Sequence, residues 1–250
     1  KLAERSGAAK RLLAWEKNLF AKADLVLADT SCHAAYFAQR LAAEKKKIHV
    51  VYVGADEALF NPGPVRAAEG PVEALFYGSF IPLHGAETLV DAARIYRGPP
   101  VRWCLLGDGP AKPACVSAAA GLPSVVFEDP IPYAQLPARI HRADILLGVF
   151  GTTQKAGRVI PNKVFQALAS GRPVITRESG AYPQAASGSS ALAFVPPGNP
   201  EALAAAVAAW ASQRDALPER SRAARTVYDA EFSSAIVRQQ LADALARFLP

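Results

Sequence analysis

Short runs rich in β-branched and aromatic residues alternate with longer alanine-rich segments along most of the chain. Parallel strands need a crossover helix between them, and burial on both faces makes such strands almost continuously apolar. The alternation therefore predicts an α/β fold with a doubly wound parallel sheet. Eight runs are predicted as strands: residues 24–29, 48–53, 73–78, 101–107, 124–128, 144–150, 173–176 and 192–195.

A break in this pattern falls at residues 60–71, FNPGPVRAAEGP, where proline and glycine cluster without apolar periodicity. Two of the predicted strands precede the break, too few for a domain, and six follow it. We interpret the break as a linker between the end of one α/β domain and the whole of a second. The chain begins at Lys1 and contains no methionine, so we expect it to be a fragment of a longer protein.

The composition limits the classes of partner. Hydrophobic residues make up 51% of the chain, which suits a globular protein with a large core. The formal net charge of +6 suits an anionic ligand or an acidic membrane surface, but its only basic run is residues 44–47, so no nucleic-acid partner is expected. No apolar run is long enough to span a membrane. We predict a cytosolic protein whose basic surface would suit peripheral contact with the inner face of a membrane.

Three predicted strands end in glycine- or cation-rich loops, where a doubly wound sheet binds its ligands. The first loop, FYGSFIPLHG, contains Gly78 and Gly85. Gly78 permits close backbone approach, and the amides before the following helix can hold an anion. His84 can donate to a phosphate oxygen, because a phosphate neighbour favours the charged imidazole. The loop equally suits a plain strand–helix connection with an exposed histidine.

The second loop, LLGDGPAK, contains Gly107 and Gly109. A lone Gly-x-Gly also serves any tight strand–helix turn. Glu128 and Asp129 lie about 20 positions further on, where a dinucleotide-binding fold keeps its ribose-binding acid. Lys112 stands where the third glycine of that motif belongs. An NAD-dependent oxidoreductase is therefore a minor alternative.

The third segment is RVIPNKVFQALASGRPVIT, residues 158–176. Pro161 suits the first turn of a helix, and Gly171 suits its end. Arg158 and Lys163 flank the helix start, where the helix dipole disfavours a cation by up to about 1 kcal/mol. An anion resting on the helix start would remove this conflict, with both cations as its partners. The alternative is that both cations point into water.

Four motifs occur in order along the chain: YVGADEALFNP, FYGSFIPLHGAETLVDAAR, LLGDGP and IPNKVFQALASGRPVIT. Together they resemble the C-terminal part of retaining glycosyltransferases of family 4, and the resemblance covers residues 24–248. It implies the GT-B fold, in which two Rossmann-like domains face each other across a cleft, the first holding the acceptor and the second the nucleotide-sugar donor. It divides the chain into the end of the acceptor domain (1–62), the donor domain (63–229) and a final helix that crosses back to the first domain (230–250).

The resemblance also implies a donor site, from which this chain departs at several positions. Ser79 and His84 stand where the family has an arginine and a lysine. Arg158 and Gln166 occupy the positions of the family's two glutamates, of which the second binds ribose hydroxyls. A neutral amide holds a hydroxyl more weakly than a carboxylate does. Arg158 and Lys163 would then supply the diphosphate charge that Ser79 does not.

The implied reaction moves a sugar from a nucleotide diphosphate sugar to an acceptor with retention of configuration. Fixed cations and backbone amides would stabilise the departing diphosphate in place of a metal, with no cofactor. The predicted catalytic residues are His84, Arg158 and Lys163. The predicted donor-binding residues, with Ile131 framing the base and Gly180 near the sugar, are Gly78, Ser79, Gly85, Gly107, Gly109, Ile131, Gln166 and Gly180.

The expected partners are the nucleotide sugar, a glycan or lipid-linked acceptor and the missing N-terminal domain, in polysaccharide biosynthesis. Because both family carboxylates are absent, a non-catalytic relative that binds nucleotide or glycan stays open. A GT-B sugar-nucleotide epimerase would need catalytic carboxylates that the sequence does not offer. His33 could be an acceptor-side residue, although a histidine at a helix start needs no such role.

Overall fold

The fold is described from a computed structural model, which covers residues 6–64 and 70–246. Over these residues the strands are β1 (Val26–Ala28), β2 (Ile48–Val50), β3 (Val72–Tyr77), β4 (Val101–Leu106), β5 (Val125–Glu128), β6 (Ile145–Leu147), β7 (Val174–Arg177) and β8 (Leu192–Val195). The α-helices are α1 (Gly7–Lys22), α2 (Ser31–Arg40), α3 (Ala86–Ile95), α4 (Lys112–Ala118), α5 (Leu136–His141), α6 (Asn162–Ala169), α7 (Gln184–Ser187), α8 (Pro200–Ser212), α9 (Leu217–Glu231) and α10 (Ser234–Leu245).

The strands form two parallel sheets. β1 and β2 make a two-stranded sheet, and the other six lie in the order β5-β4-β3-β6-β7-β8. Each of the eight predicted runs overlaps one strand, with β3 beginning and β7 ending one residue outside its run, so the predicted α/β fold with a doubly wound parallel sheet is confirmed. The chain enters the large sheet at β3 and adds β4 and β5 on one side of it. It then crosses back to place β6 on the other side of β3. This reversal is a topological switch point, where open α/β sheets bind their ligands.

The central strand β3 divides the hydrophobic core into two layers. All six of its residues are buried, because the strand has neighbours on both edges and helices on both faces. Successive side chains point to opposite faces. Leu75 accordingly packs in the layer with α6 and α9, and Phe76 in the layer with α3 and α8. Burial on both faces fixes the position at which β3 ends, and therefore the position of the loop that follows it.

The buried strand also carries a charged residue, Glu73, which is paired rather than isolated. Arg139, only 3% exposed, donates to Glu73 at 2.7 Å. The same guanidinium donates to both oxygens of Glu128 at 2.7 and 2.6 Å. Arg139 holds the pKa of the Glu128 carboxyl below its ordinary value, chiefly through these hydrogen bonds. The network links β3, β5 and α5, because a buried charge is tolerated only when it is paired.

The segments before and after the large sheet each contact another part of the structure. Of the predicted break at residues 60–71, residues 65–69 lie outside the described residues. Phe60, at its start, is fully buried against the large sheet. At the other end, the side-chain oxygen of Gln240 on α10 accepts from the Tyr52 N–H at 3.0 Å, just after β2. The division at residues 62 and 229 remains a prediction.

We expect Arg139→Ala to lower the free energy of unfolding by about 3–5 kcal/mol, because it leaves two carboxylates without their buried partner. Urea unfolding followed by circular dichroism would measure the change. The folded-state pKa of Glu128 is depressed. The contribution of its ion pair with Arg139 to folding stability is therefore present above the unfolded-state pKa and is lost on acidification. The variant should therefore lose less stability than the wild type as the pH falls.

The control is Arg97→Ala, because the exposed Arg97 guanidinium contacts the neighbouring Tyr96 carbonyl at 2.8 Å. Its free energy of unfolding should stay within about 0.5 kcal/mol of the wild type. Equal effects of the two substitutions would show that the Arg139 network does not stabilise the fold.

Candidate functional site

A cleft of about 560 Å³ opens at the switch point, between the loops that follow β3 and β6. Loops that follow the small-sheet strands β1 and β2 form its other wall. Its volume lies within the range of small-molecule sites. The cleft is lined by Asp29, His33, Val53, Tyr77, Gly78, Ser79, Leu83, His84, Lys155, Val159, Ile160, Pro161, Asn162, Lys163 and Gln166.

Gly78 lies where the side chains of His84 and Lys163 meet. Its φ of 138° favours glycine. A Cβ at this position would lie 3.2 Å from the His84 ring and 3.3 Å from the Lys163 ammonium nitrogen. A side chain on residue 78 would therefore occupy the space beside the imidazole and the ammonium. The structure brings together three residues predicted for the donor site: Gly78, His84 and Lys163.

Lys163 sits in the first turn of α6 and is 93% buried, with 7% of its surface exposed. Its ammonium nitrogen lies 3.8 Å from the centre of the Phe76 ring and has no hydrogen-bond partner among the described residues. Burial holds the pKa of this ammonium well below its ordinary value. The helix begins one residue later than predicted, with Pro161 in the cap position. The fold thus places a poorly solvated cation at a helix start.

His84 faces the same point from the loop after β3. Its Nδ1 contacts the backbone carbonyl of Ser79. Burial, and secondly the neighbouring Lys163, lower the pKa of His84 to about 4, against the opposing effect of the Ser79 carbonyl. The imidazole is therefore neutral near pH 7. An incoming anion would counter both causes of the shift.

Gln166 is held by two tyrosines. The Tyr77 hydroxyl donates to its side-chain oxygen at 2.8 Å, and its amide nitrogen donates to the Tyr133 hydroxyl at 3.2 Å. Burial raises the pKa of Tyr77 well above its ordinary value, so this hydroxyl stays protonated and can donate. The orientation of the amide is thereby fixed. Ile131 is partly buried against the core and does not line the cleft.

Three of the glycines predicted for the donor site do not line the cleft: Gly85, Gly107 and Gly109. A Cβ on Gly107 would lie 2.1 Å from the Gly78 carbonyl oxygen, and one on Gly109 would lie 2.6 Å from the Phe80 nitrogen. These glycines let the loops after β3 and β4 pack backbone to backbone. Gly85 directly precedes α3 and has a φ of 62°. A Cβ at this position would lie 2.5 Å from the backbone nitrogen of Gly151.

Arg158 does not line the cleft. Its guanidinium lies over the Tyr36 ring of α2 at 4.2 Å, and its backbone carbonyl accepts from the Thr30 hydroxyl at 2.6 Å. Nearby, the Gly180 carbonyl accepts from the Ser31 hydroxyl at 3.3 Å. This placement favours a role for Arg158 and Gly180 in docking α2 over a role in binding the donor.

The acid pair that an NAD site would use is engaged elsewhere. Glu128 is bound by Arg139, as described above, and Asp129 lies 3.1 Å from the Lys112 ammonium. A second cavity, of about 570 Å³, surrounds the Arg139 network. Its carboxylates are already paired, which disfavours the oxidoreductase alternative.

The wall formed by the small sheet adds a carboxylate–imidazole pair that the donor-site prediction did not include. Asp29 follows β1, and His33 lies in the first turn of α2, four residues later. Their side chains meet at 2.5 Å. His33 had been noted as a candidate for acceptor binding, and the i, i+4 spacing is the only sequence pattern that could have linked it to Asp29. Lys155 and Asn162 also line the cleft, and neither carries a sequence pattern that marks it.

Within residues 6–64 and 70–246, no group of three or more His, Cys, Asp or Glu side chains could hold a metal ion. The metal-independent reaction expected from the sequence remains a prediction. In the same parts of the chain, no helix is both long enough and apolar enough to cross a membrane.

A doubly wound parallel sheet with a cationic cleft at its switch point is characteristic of nucleotide-binding α/β proteins. The chain belongs to the glycosyl transferases of group 1, whose family model matches residues 71–213. The matched residues include the whole six-stranded sheet. The likeness to solved glycosyltransferase structures given below shows the GT-B fold.

Among curated relatives, the D-inositol 3-phosphate glycosyltransferase of Segniliparus rotundus is 32% identical over 227 residues, covering 84% of this chain and 49% of the relative. The structure of Anabaena HepE in complex with UDP-glucose aligns with a TM-score of 0.76 at 20% identity, covering 96% of this chain and 68% of that one. Sucrose-phosphate synthase of Thermosynechococcus elongatus aligns with a TM-score of 0.79 at 21% identity, covering 99% and 64%. The chain spans about half the length of the curated relatives it matches.

We expect Gly107→Ala to lower the melting temperature by at least about 6 °C, because its Cβ would overlap the Gly78 carbonyl in addition to straining the backbone. Differential scanning calorimetry would measure the shift. The matched control is Gly121→Ala, which has a positive φ of 80° but no atom within 4 Å of the added Cβ. The control should lose only about 2–4 °C, the cost of the backbone conformation alone. Equal losses would show that the contact between the two loops contributes little.

Proposed function

We propose that the cleft binds the diphosphate of a nucleotide sugar, and that this chain is the donor-binding part of a retaining, hexosyltransferase-like enzyme of family 4. One observation carries the proposal. The Lys163 ammonium is buried beside Gly78, and among the residues described it has no hydrogen-bond partner. An isolated buried charge is unfavourable, so a cation at this position is best explained by an anionic ligand that neutralises it.

The start of α6 supports the same ligand. Within the described chain no side chain caps this helix start. Its first N–H groups and the positive end of the helix dipole are therefore available to an anion, and Asn162 and Lys163 place them at the cleft. The ammonium and the helix start would act on one diphosphate together. The conflict between a cation and the helix dipole disappears once the anion is bound.

Charge on the leaving group determines the proposed mechanism. When the bond between the sugar and the diphosphate breaks, negative charge develops on the departing nucleotide. Groups fixed in position before the reaction stabilise such charge most effectively. Lys163 and the backbone around Gly78 and Ser79 would do this, because Gly107 packs the loop firmly from behind. We propose that these protein groups perform the charge stabilisation without a metal or cofactor.

The nucleoside would lie on the side of Gln166. Its amide retains one N–H and one oxygen lone pair beyond the two tyrosine hydrogen bonds, enough for a ribose hydroxyl. The base would lie near Ile131. UDP is the first nucleotide to test, because HepE was solved with UDP and with UDP-glucose.

The acceptor would bind on the side of the small sheet, with further contacts from sequence upstream of this chain. We propose a glycan or lipid-linked acceptor in polysaccharide biosynthesis, at the cytosolic face of a membrane. Some of the relatives are named D-inositol 3-phosphate glycosyltransferases. A phosphorylated polyol should therefore also be tested as an acceptor.

A non-catalytic nucleotide-binding protein is the second candidate, favoured by one observation. The positions of the two family glutamates hold Arg158, which contacts Tyr36, and Gln166, which contacts Tyr77 and Tyr133. Neither can act as a carboxylate at the donor sugar. Release of glucose from UDP-glucose by the chain, with water as acceptor, would favour the transferase. Tight binding without any turnover, including in the presence of added N-terminal domain, would favour the second candidate.

We expect Lys163→Met to weaken UDP binding by more than about 10-fold, the effect of removing one charge-assisted hydrogen bond, while retaining apolar packing on Phe76. Isothermal titration calorimetry with UDP, GDP, ADP and NAD would measure affinity and identify the base. Arg158→Met should leave the UDP affinity within about 2-fold, because its guanidinium lies on Tyr36.

Lys112→Met serves as the control for loss of one positive charge, since Lys112 pairs with Asp129 outside the cleft. Binding of NAD alone would overturn the proposal in favour of an oxidoreductase. An unchanged UDP affinity in Lys163→Met would remove Lys163 from the site.

We expect UDP-glucose binding to take up protons and to strengthen as the pH falls from about 8 to 5. A bound diphosphate raises the pKa of His84 from about 4, so the complex holds more protons than the free chain. Calorimetry in two buffers of different ionisation enthalpy measures the uptake, and UDP-glucose avoids titration of a terminal phosphate. His84→Gln should reduce the uptake between about pH 5 and 7, and any uptake that remains would be assigned to Lys163, whose pKa is also lowered by burial. Proton release on binding would contradict this assignment.

A further inference from the structure

The carboxylate–imidazole pair of Asp29 and His33 lies in the cleft but has no place in the proposed diphosphate site. The Asp29 carboxylate oxygen and His33 Nδ1 are 2.5 Å apart, and both residues line the cleft from the side of the small sheet. The His33 side chain is 16% exposed and that of Asp29 is 39% exposed. The pair is therefore open to a ligand.

The imidazole is held firmly. The Thr30 hydroxyl accepts from the His33 backbone N–H at 3.1 Å and caps α2. The His33 ring stacks on the Phe37 ring with a centroid distance of 5.7 Å and an interplanar angle of 4°. The same Thr30 hydroxyl donates to the Arg158 carbonyl, which ties α2 to the loop that lines the opposite side of the cleft. His33 thus has a fixed position relative to Lys163.

The chemistry of this wall differs from that of the opposite wall. Lys163 and Lys155 make the wall of the large sheet cationic, whereas Asp29 places a carboxylate on the wall of the small sheet. A carboxylate repels phosphate, so this wall suits an uncharged part of the substrate. In the tautomer in which Nδ1–H donates a hydrogen bond to the Asp29 carboxylate, Nε2 presents its lone pair. That nitrogen can accept a hydrogen bond from a hydroxyl group.

We propose that His33 binds a hydroxyl group of a sugar in the cleft and that Asp29 is its positioning residue. The inference rests on the proposed function. Both the donor sugar and a glycan acceptor carry such hydroxyls, and the experiment below distinguishes the two sources.

Two substitutions of His33 separate its two ring nitrogens. In His33→Gln the amide reaches the region of Nε2, whereas in His33→Asn it reaches only the region of Nδ1. Calorimetry would give the affinities of both variants for UDP and UDP-glucose, with His141→Gln, outside the cleft, as the control. Saturation-transfer NMR on the UDP-loaded chain would follow binding of methyl α-glucoside and myo-inositol. Melting temperatures would show that every variant is folded.

We expect His33→Asn to lose about 3- to 10-fold in sugar binding, the effect of one neutral hydrogen bond, and His33→Gln to retain most of it. Weaker binding of UDP-glucose with unchanged binding of UDP would assign the hydroxyl to the donor sugar. Unchanged binding of both nucleotides with a weaker NMR response of the free sugars would assign it to the acceptor.

Asp29→Asn tests positioning. We expect it to shift the His33 Nδ1 and Nε2 resonances toward a mixture of tautomers and to reduce sugar binding less than His33→Asn does. A purely structural role of Asp29 would leave the tautomer unchanged.

The two proposals fail differently. A wild-type chain that binds none of UDP, GDP, ADP and UDP-glucose would overturn the proposed function together with this inference. A wild-type chain that binds both nucleotides, with His33→Asn unchanged in every assay or weakened equally for UDP and UDP-glucose, would overturn this inference alone.

Discussion

The candidate site depends on a buried ammonium that the folded chain leaves without a counter-charge among its described residues. Lys163 is placed by α6, whose apolar face, including Val164 and Leu168, is fully buried against the large sheet. The packing of that face fixes the helix, and the helix carries the cation into the cleft. The ammonium is therefore not free to move into water, as an exposed lysine would be. The packing that stabilises α6 also forces the desolvation of the cation. A bound diphosphate would offset that unfavourable desolvation.

Two cations near one helix start have different roles in this fold. Lys163 faces the switch point, whereas Arg158 lies on Tyr36 and its loop accepts a hydrogen bond from Thr30. A planar guanidinium stacks well on an aromatic ring, and a compact ammonium suits contact with phosphate. The loop that precedes α6 thus has one side toward the cleft and the other toward α2. Docking of α2 and formation of the cleft depend on the same loop.

The fold could be predicted from local pattern, because apolar runs and helical periodicity reflect burial directly. All eight strands and the glycine positions at their ends follow from it. The site could be predicted only in part. Gly78, His84 and Lys163 meet as expected, since strand ends on one side of a sheet share an edge. The contacts of Gln166 with Tyr77 and Tyr133 join residues up to 89 positions apart. No local pattern encodes such contacts.

Arg158 and Gln166 stand where the sequence resemblance implies two glutamates, but the cleft is not without an acidic group. Gln166 can hold a ribose hydroxyl, although without the strength of a charged acceptor. The carboxylate now at the cleft, Asp29, comes from the small-sheet side and is joined to His33. Among the residues that line the cleft, negative charge is thus absent from the wall that would meet the diphosphate, where it would oppose binding. It stands instead on the wall where uncharged sugar would lie, and there a carboxylate can orient an imidazole without repelling the ligand.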